Sequence, residues 1–125
     1  MNDKISDTLT RIRNAYLVGK DSTNVQKSNF VRNVLNVMKE EGFIEKLDES
    51  EREIIITLKY DRGYPVISSL RRISKSSRRV HVDLAQIKKL RQISKMLILS
   101  TSKGVISDVS AIAHGIGGEI VCEVR

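Results

Sequence analysis

The sequence predicts an α+β fold in two subdomains: an N-terminal αβαββ two-layer unit over residues 1–62, then a mostly β unit with a short helix over residues 63–125. Three observations point there. Two helix-periodic apolar stripes precede an isoleucine-rich β run in the first half, and short β-patterned runs broken by glycine fill the second. Between them stands Asp61-Arg62-Gly63-Tyr64-Pro65, which holds the only proline of the chain and coincides with a change in charge balance.

Residues 3–18 read as a helix because Ile5, Leu9, Ile12 and Tyr16 recur at helical spacing, with Asp3 placed to cap the start and Gly19 to end it. The other side carries Thr10, Arg11, Arg13 and Asn14, side chains that suit phosphate or sugar. A polar link through Asp21 and Asn24 follows. Ser28 then caps a second helix whose Phe30, Val31, Val34, Leu35 and Met38 form a core stripe, and Gly42 ends it. Phe43 to Leu47 reads as a strand, Asp48 to Arg52 as an acidic turn, and Glu53 to Tyr60 as an isoleucine-rich strand.

Past Pro65, Val66 to Ile73 is expected to be extended or a short helical turn. It leads into the basic segment Arg71-Arg72-Ile73-Ser74-Lys75-Ser76-Ser77-Arg78-Arg79. A strand from Arg79 to Leu84 puts Val80, Val82 and Leu84 on one face and His81 and Asp83 on the other. Ile87 and Leu90 fit a single helical turn. Lys95 to Ser100 is the next strand, Val105 and Ile106 continue beyond its loop, and Asp108 caps a short helix, Val109 to His114, closed by Gly115. In the last strand, Glu119 to Val124, Ile120, Cys122 and Val124 alternate with Val121 and Glu123.

A chain of 125 residues buries a core without staples. The lone Cys122 has no disulfide partner in the chain and no ligand-spaced neighbours, so it reads as a small core residue in a reducing compartment. No run approaches the roughly 20 apolar residues of a bilayer span, and the N-terminus has neither signal nor presequence character, so a soluble chain is expected. The net charge is +7, and it resides in the second half: residues 1–62 hold 11 basic and 11 acidic side chains, residues 63–125 hold 11 and 4. From Arg71 to Lys103 there are ten Lys and Arg against one acid, Asp83. So concentrated a field attracts a polyanion. An anionic membrane fits less well, because these residues do not line one face of an amphipathic helix.

The stretch Leu99-Ser100-Thr101-Ser102-Lys103-Gly104 turns an apolar β run into three hydroxyls, a cation and a glycine. That is the chemistry of a binding loop: small donors and acceptors, a charge for phosphate, and a bare backbone. Ser100 to Lys103 also spells S-x-x-K, but acyl-transfer use of that spacing needs a helix start and S-D-N and K-T-G partners, which the sequence lacks. Gly115-Ile116-Gly117-Gly118 precedes a strand, whereas a nucleotide-binding glycine loop follows a strand and opens a helix. It reads as a flexible turn, or as backbone bare enough for a nucleic acid to lie against. Glu119 is placed to accept from a base or to position Lys103. His81 and His114 have no acidic partner at a telling spacing, so no metal, cofactor, catalytic base or small-molecule substrate is expected. His81 reads as a surface or RNA-facing strand residue, and the kinase-like Arg71-Arg72-Ile73-Ser74 as coincidence in a basic stretch.

Nearly end to end, these stretches resemble the family of the eighth small-subunit protein of bacterial-type ribosomes. Asp7-Thr8-Leu9-Thr10-Arg11-Ile12-Arg13-Asn14-Ala15 is similar to the family's opening helix, Glu41-Gly42-Phe43-Ile44 to the end of its second, and Arg72-Ile73-Ser74-Lys75 to its basic segment. Most diagnostic are Ile98-Leu99-Ser100-Thr101-Ser102-Lys103-Gly104-Val105, followed by Asp108, and Gly117-Gly118-Glu119-Ile120. The resemblance implies an N-terminal α/β domain and a mostly β C-terminal domain. Both would bind helical rRNA of the small subunit's central domain directly, early in assembly, beside neighbouring small-subunit proteins.

By the same resemblance, Ser100, Thr101, Ser102, Lys103 and Gly104, with Gly117, Gly118 and Glu119, grip an irregular minor-groove surface. Arg11, Arg13, Asn14, Arg72, Ser74 and Lys75 reach neighbouring phosphates, and Arg79 and His81 join the RNA-facing set. An A-form minor groove is shallow and lined with 2′-hydroxyls, which short Ser and Thr side chains read. The chain departs from the family in four places. Ser76-Ser77 stands where Pro-Gly is usual, Gln92-Ile93-Ser94-Lys95 where a glycine-rich approach is usual, and His81 and Glu123 where aromatics are customary. Loss of Gly, Pro and aromatics alongside abundant Ile, Asn, Lys and Ser points to an AT-rich genome, a plastid ahead of a reduced bacterium. The expected function is a non-enzymatic, rRNA-binding constituent of the small subunit on the ribosome. A free-standing RNA chaperone or repressor is the runner-up, and a small acyl-transfer enzyme a remote third.

Overall fold

A computed structural model describes residues 4–125, and the expected cap at Asp3 lies outside them. Contacts divide the chain into two units, Met1–Ser68 and Ser69–Arg125, where the sequence expectation put the border between residues 62 and 63.

In the first unit, α1 (Lys4–Leu17) buries Ile5, Leu9 and Ile12 of the predicted stripe together with Thr8 and Ala15, while Tyr16, the fourth predicted member, is half-buried. Thr8 sits among apolar residues because its hydroxyl donates to the Lys4 carbonyl at 2.7 Å. Gly19, at φ +71°, reverses the chain so that Lys20 N–H donates back to the Ala15 carbonyl at 2.9 Å. The polar link is itself a strand, β1 (Ser22–Gln26), at the edge of an antiparallel sheet ordered β1-β3-β2. α2 (Asn29–Glu40) starts where the Ser28 hydroxyl accepts from Val31 N–H at 3.1 Å. Its buried stripe is Val31, Val34, Leu35, Val37 and Met38. Phe30, expected in that stripe, is 39% exposed, because it lies one residue's turn off the line of Val31, Val34 and Met38.

β2 (Ile44–Glu49) and β3 (Glu53–Leu58) complete this sheet, with Ile54, Ile56 and Leu58 alternating inward. Glu49 on β2 accepts from Arg32 of α2 and lies 3.2 Å from the Lys27 ammonium. Both cations, Arg32 foremost, hold its carboxyl below the usual carboxylate range. A two-stranded hairpin follows, β4 (Tyr60–Asp61) with β5 (Tyr64–Pro65), turning through Arg62 and Gly63, both at positive φ. The Tyr16 and Tyr60 rings meet edge to face at 5.4 Å, and Tyr60 donates to the Lys20 carbonyl at 2.6 Å.

The second unit is built on β10 (Gly118–Val124). It pairs antiparallel with β6 (Leu70–Arg72), β7 (His81–Val82) and β8 (Met96–Thr101), and β9 (Gly104–Ser107) pairs with β8 in turn. α3 (Leu84–Leu90) and α4 (Asp108–His114) supply Ile87 and Ala111, which pack with Leu97, Leu99 and Ile120 to make its core.

Three details differ from the sequence expectation, each for a local reason. The strand expected over residues 79–84 stops at Val82, because Asp83 and Gln86 form a reciprocal capping box: Gln86 N–H donates to Asp83 and Asp83 N–H to Gln86, both at 2.8 Å. Leu84 therefore opens a two-turn helix. Ser107, not Asp108, caps α4, its hydroxyl accepting from Ser110 N–H at 3.2 Å. Finally, β10 carries a bulge between Ile120 and Cys122, so Ile120 pairs with Leu99 while Cys122 pairs with Ile98 on the other face. All five residues from Ile120 to Val124 are buried, Glu123 included, and its carboxylate accepts from Ser94 at 2.6 Å and Arg125 at 3.0 Å.

Candidate nucleic-acid interface

Register across four strands of the second unit assembles a row that no single segment contains. His81 on β7 stands opposite Glu119 on β10, Glu119 opposite Ser100 on β8, and Ser100 opposite Val105 on β9. Directly paired residues share a face, and this face is the reverse of the one where Leu99 and Ile120 meet the helices. Arg79 joins the row from below: one guanidinium nitrogen donates to both Glu119 oxygens at 3.1 Å. Glu119 thus holds Arg79 rather than Lys103.

At one end of this row the β8–β9 hairpin turns through Ser102 and Lys103, both exposed. The Thr101 hydroxyl is spent on the turn itself, donating to the Gly104 carbonyl at 2.9 Å and accepting from Lys103 N–H at 3.1 Å. Gly104 takes φ +96°, and a side chain there would meet nothing within 4 Å, so the backbone at this corner lies open. The S-x-x-K spacing spans this β-turn instead of one turn of helix.

The glycine pair at the start of β10, Gly117 just before it and Gly118 its first residue, is different. A Cβ on Gly117 would collide with the Val82 carbonyl oxygen, and one on Gly118 would lie 2.6 Å from the Ser100 carbonyl oxygen and 2.7 Å from Thr101 Cγ2. The chain's own backbone fills the space on that side, so these glycines are what let β7, β8 and β10 close up. That packing is not the flexible turn of one sequence reading.

The basic segment ends in a tight turn at Ser76 and Ser77, closed by Lys75 N–H to Arg78 O at 2.8 Å and Arg78 N–H to Lys75 O at 3.0 Å. Lys75 and Arg78 are exposed at its flanks. Ser74, expected to reach a phosphate, is buried, and its hydroxyl accepts from Val80 N–H at 2.9 Å; it fastens the turn to the sheet. Arg72 is half-buried, its Nε donating to the Ser74 carbonyl at 2.7 Å.

In the first unit, Arg11, Arg13 and Asn14 are exposed on α1. Arg11 pairs with Asp7 at 3.0 Å, and Arg13 donates to the Thr10 hydroxyl at 3.0 Å. Beside them a groove of about 320 Å³ is lined by Arg11, Asn14, Ala15, Val18, Lys20 and Thr23. Sequence reading does not single out Lys20 and Thr23, whose only sequence signal is a charge or a hydroxyl, which surface residues share widely. Among the described residues no cluster of three His, Cys, Asp or Glu could hold a metal ion, and no helix is long and apolar enough to cross a membrane.

Residues 3–125 match the family described as Ribosomal protein S8. The chain is 43% identical over 124 residues to small ribosomal subunit protein uS8 of Nitratidesulfovibrio vulgaris, covering 99% of this chain and 98% of that protein. It is 42% identical to uS8 of Cereibacter sphaeroides, and 43% identical to uS8c of Gracilaria tenuistipitata over 99% of this chain and 98% of the relative. An α+β chain so matched is of the class of ribosomal proteins, structural and not enzymatic. It belongs to the ribosomal protein S8 family, a constituent of the small ribosomal subunit.

Proposed function

We propose that this protein binds rRNA of the central domain of the small subunit directly, during assembly, with the C-terminal unit as the reading surface. The observation that carries the proposal is the His81–Glu119–Ser100 row ending in the exposed Ser102–Lys103 turn, with Lys75 and Arg78 exposed at the basic turn of the same unit. Short hydroxyls and an open backbone at Gly104 suit the shallow minor groove of an A-form helix. Lys75 and Arg78 anchor flanking phosphates. Arg11, Arg13 and Asn14 give the first unit a contact of its own, and neighbouring small-subunit proteins are further partners. A plastid ribosome is favoured, with a bacterial cytoplasm as the alternative; the uS8c relative supports the first and the equally similar uS8 relatives the second.

Crosslinking to total RNA in the source cells, followed by sequencing, tests this reading. Crosslinks should concentrate in central-domain rRNA helices; dispersion over unrelated RNAs would defeat the reading in favour of a general chaperone. A gene lying on a bacterial chromosome would settle the compartment against the plastid.

A further inference from the structure

The cations of the C-terminal unit lie on two sides of its sheet. α3 packs through Ile87 onto Leu97, Leu99 and Ile120, so its outer surface faces away from the side that carries His81, Glu119 and Ser100. On that outer surface and the turn beyond it, Lys88, Lys89, Arg91, Ile93 and Lys95 are exposed. The acids of this side are committed elsewhere. Asp108 is fully buried, accepting from Arg91 at 3.0 Å and from Leu97 N–H at 3.2 Å, and Asp83 caps the opposite end of α3.

Resting on the rRNA-binding reading above, we propose that the α3 side is a second docking surface, which takes the phosphate backbone of another RNA segment while the hairpin side holds the first. Lysine is a point charge without the forked geometry of arginine, so Lys88 and Lys89 suit phosphate contacts that ignore base sequence. An acidic protein segment is a poorer fit, because protein interfaces centre on buried apolar anchors and Ile93, 66% exposed, is the one large apolar side chain among these residues. The protein then ties two RNA segments together across one sheet and the helix layer packed on it.

The test uses the full chain. It is saturated with a labelled fragment of small-subunit rRNA, then titrated with a differently labelled short RNA duplex of unrelated sequence, and native mass spectrometry counts the RNAs bound. The expected result is one of each per chain. Lys88→Glu with Lys89→Glu should weaken the second RNA about tenfold and leave the first within about twofold. The milder pair Lys88→Gln and Lys89→Gln should make the salt slope for the second RNA shallower by about 2. Failure to form the ternary complex, equal loss of both RNAs in either double variant, or binding of a polyglutamate peptide where the duplex does not bind would overturn the proposal. If the first step shows no preference for rRNA, the central-domain reading fails by itself. A stoichiometry of two generic duplexes per chain, falling to one in the lysine variants, would still uphold docking on both sides.

Discussion

Glu119 faces Ser100 across β10 and β8 while both of its carboxylate oxygens accept from Arg79. An acid in the middle of a cationic surface is thereby occupied before RNA arrives, and it restrains a cation that would otherwise seek any phosphate. Replacing Glu119 by Gln should release Arg79. Affinity for unrelated duplex should rise, with the slope of log affinity against log salt steeper by about 1. Salt titrations of the two proteins on one duplex check this, and identical slopes would show that the pair does not restrain Arg79.

Ser102 at the hairpin tip and Lys75 at the basic turn should behave differently. Ser102→Ala is expected to cost about 1–3 kcal/mol of preference for the cognate rRNA helix. Lys75→Ala should weaken cognate and random RNA alike and lower the salt slope by about 1. Competition binding on both RNAs separates reader from anchor, and parallel losses for both variants would erase the distinction.

The glycines make a stability prediction. Gly118→Ala sets a methyl group 2.6 Å from the Ser100 carbonyl oxygen, so β8 and β10 must part, at about 1–3 kcal/mol. Gly104→Ala meets open space and costs only the strain of φ +96°, about 1–2 kcal/mol. Urea denaturation should therefore show Gly118→Ala as no less damaging, while the RNA assay should single out Gly104→Ala, whose new methyl group stands on the open corner.

Asp108 ties the exit of α3 to the entrance of β8 and to the first turn of α4. Asp108→Ala leaves the buried Leu97 N–H without its acceptor, a loss of about 1–3 kcal/mol, with the Arg91 pair lost besides. Ser107→Ala, which removes only the cap, should cost about 1 kcal/mol. Thermal or urea melts ranking the two in the opposite order would contradict these assignments.

Cys122 gives a pH dependence. Burial pushes its thiol from the ordinary 9.0 up to about 12, against a smaller opposing pull from Arg72. The unfolded chain therefore loses this proton first. The stability contributed by the neutral thiol is complete below pH 9 and is lost as pH climbs towards 12, by about 1.4 kcal/mol per unit. Tyr16, raised chiefly by burial, acts in the same direction from pH 10 upward. Denaturation midpoints at pH 8 and 10.5 should fall further apart for the natural chain than for Cys122→Ala.

Local chemistry was legible in the sequence, and distant pairing was not. The stripe of α1 and the Ser28 cap follow from spacing alone, because helix contacts repeat within a turn. β1 escaped as a strand by pattern since only Val25 of its five residues is buried; an edge strand needs one anchor, not alternation. Asp83 looked like a strand residue until its partner Gln86 was in view. The hairpin Ser100–Gly104 is contiguous and could be read. The row through His81, Glu119 and Ser100 depends on a register between segments far apart in sequence, and the bulge at Val121 shifts that register invisibly. Ser74 carried the signature of a surface hydroxyl, and only the fold shows it turned inward to Val80.

In synthesis order, β10 comes after β6, β7, β8 and β9, and it alone joins the first two to the hairpin. A growing chain that has not passed residue 124 has every cation of the basic span but no platform to array them on. On the proposed reading, copies in which β10 has not yet taken its place are poor competitors for the RNA.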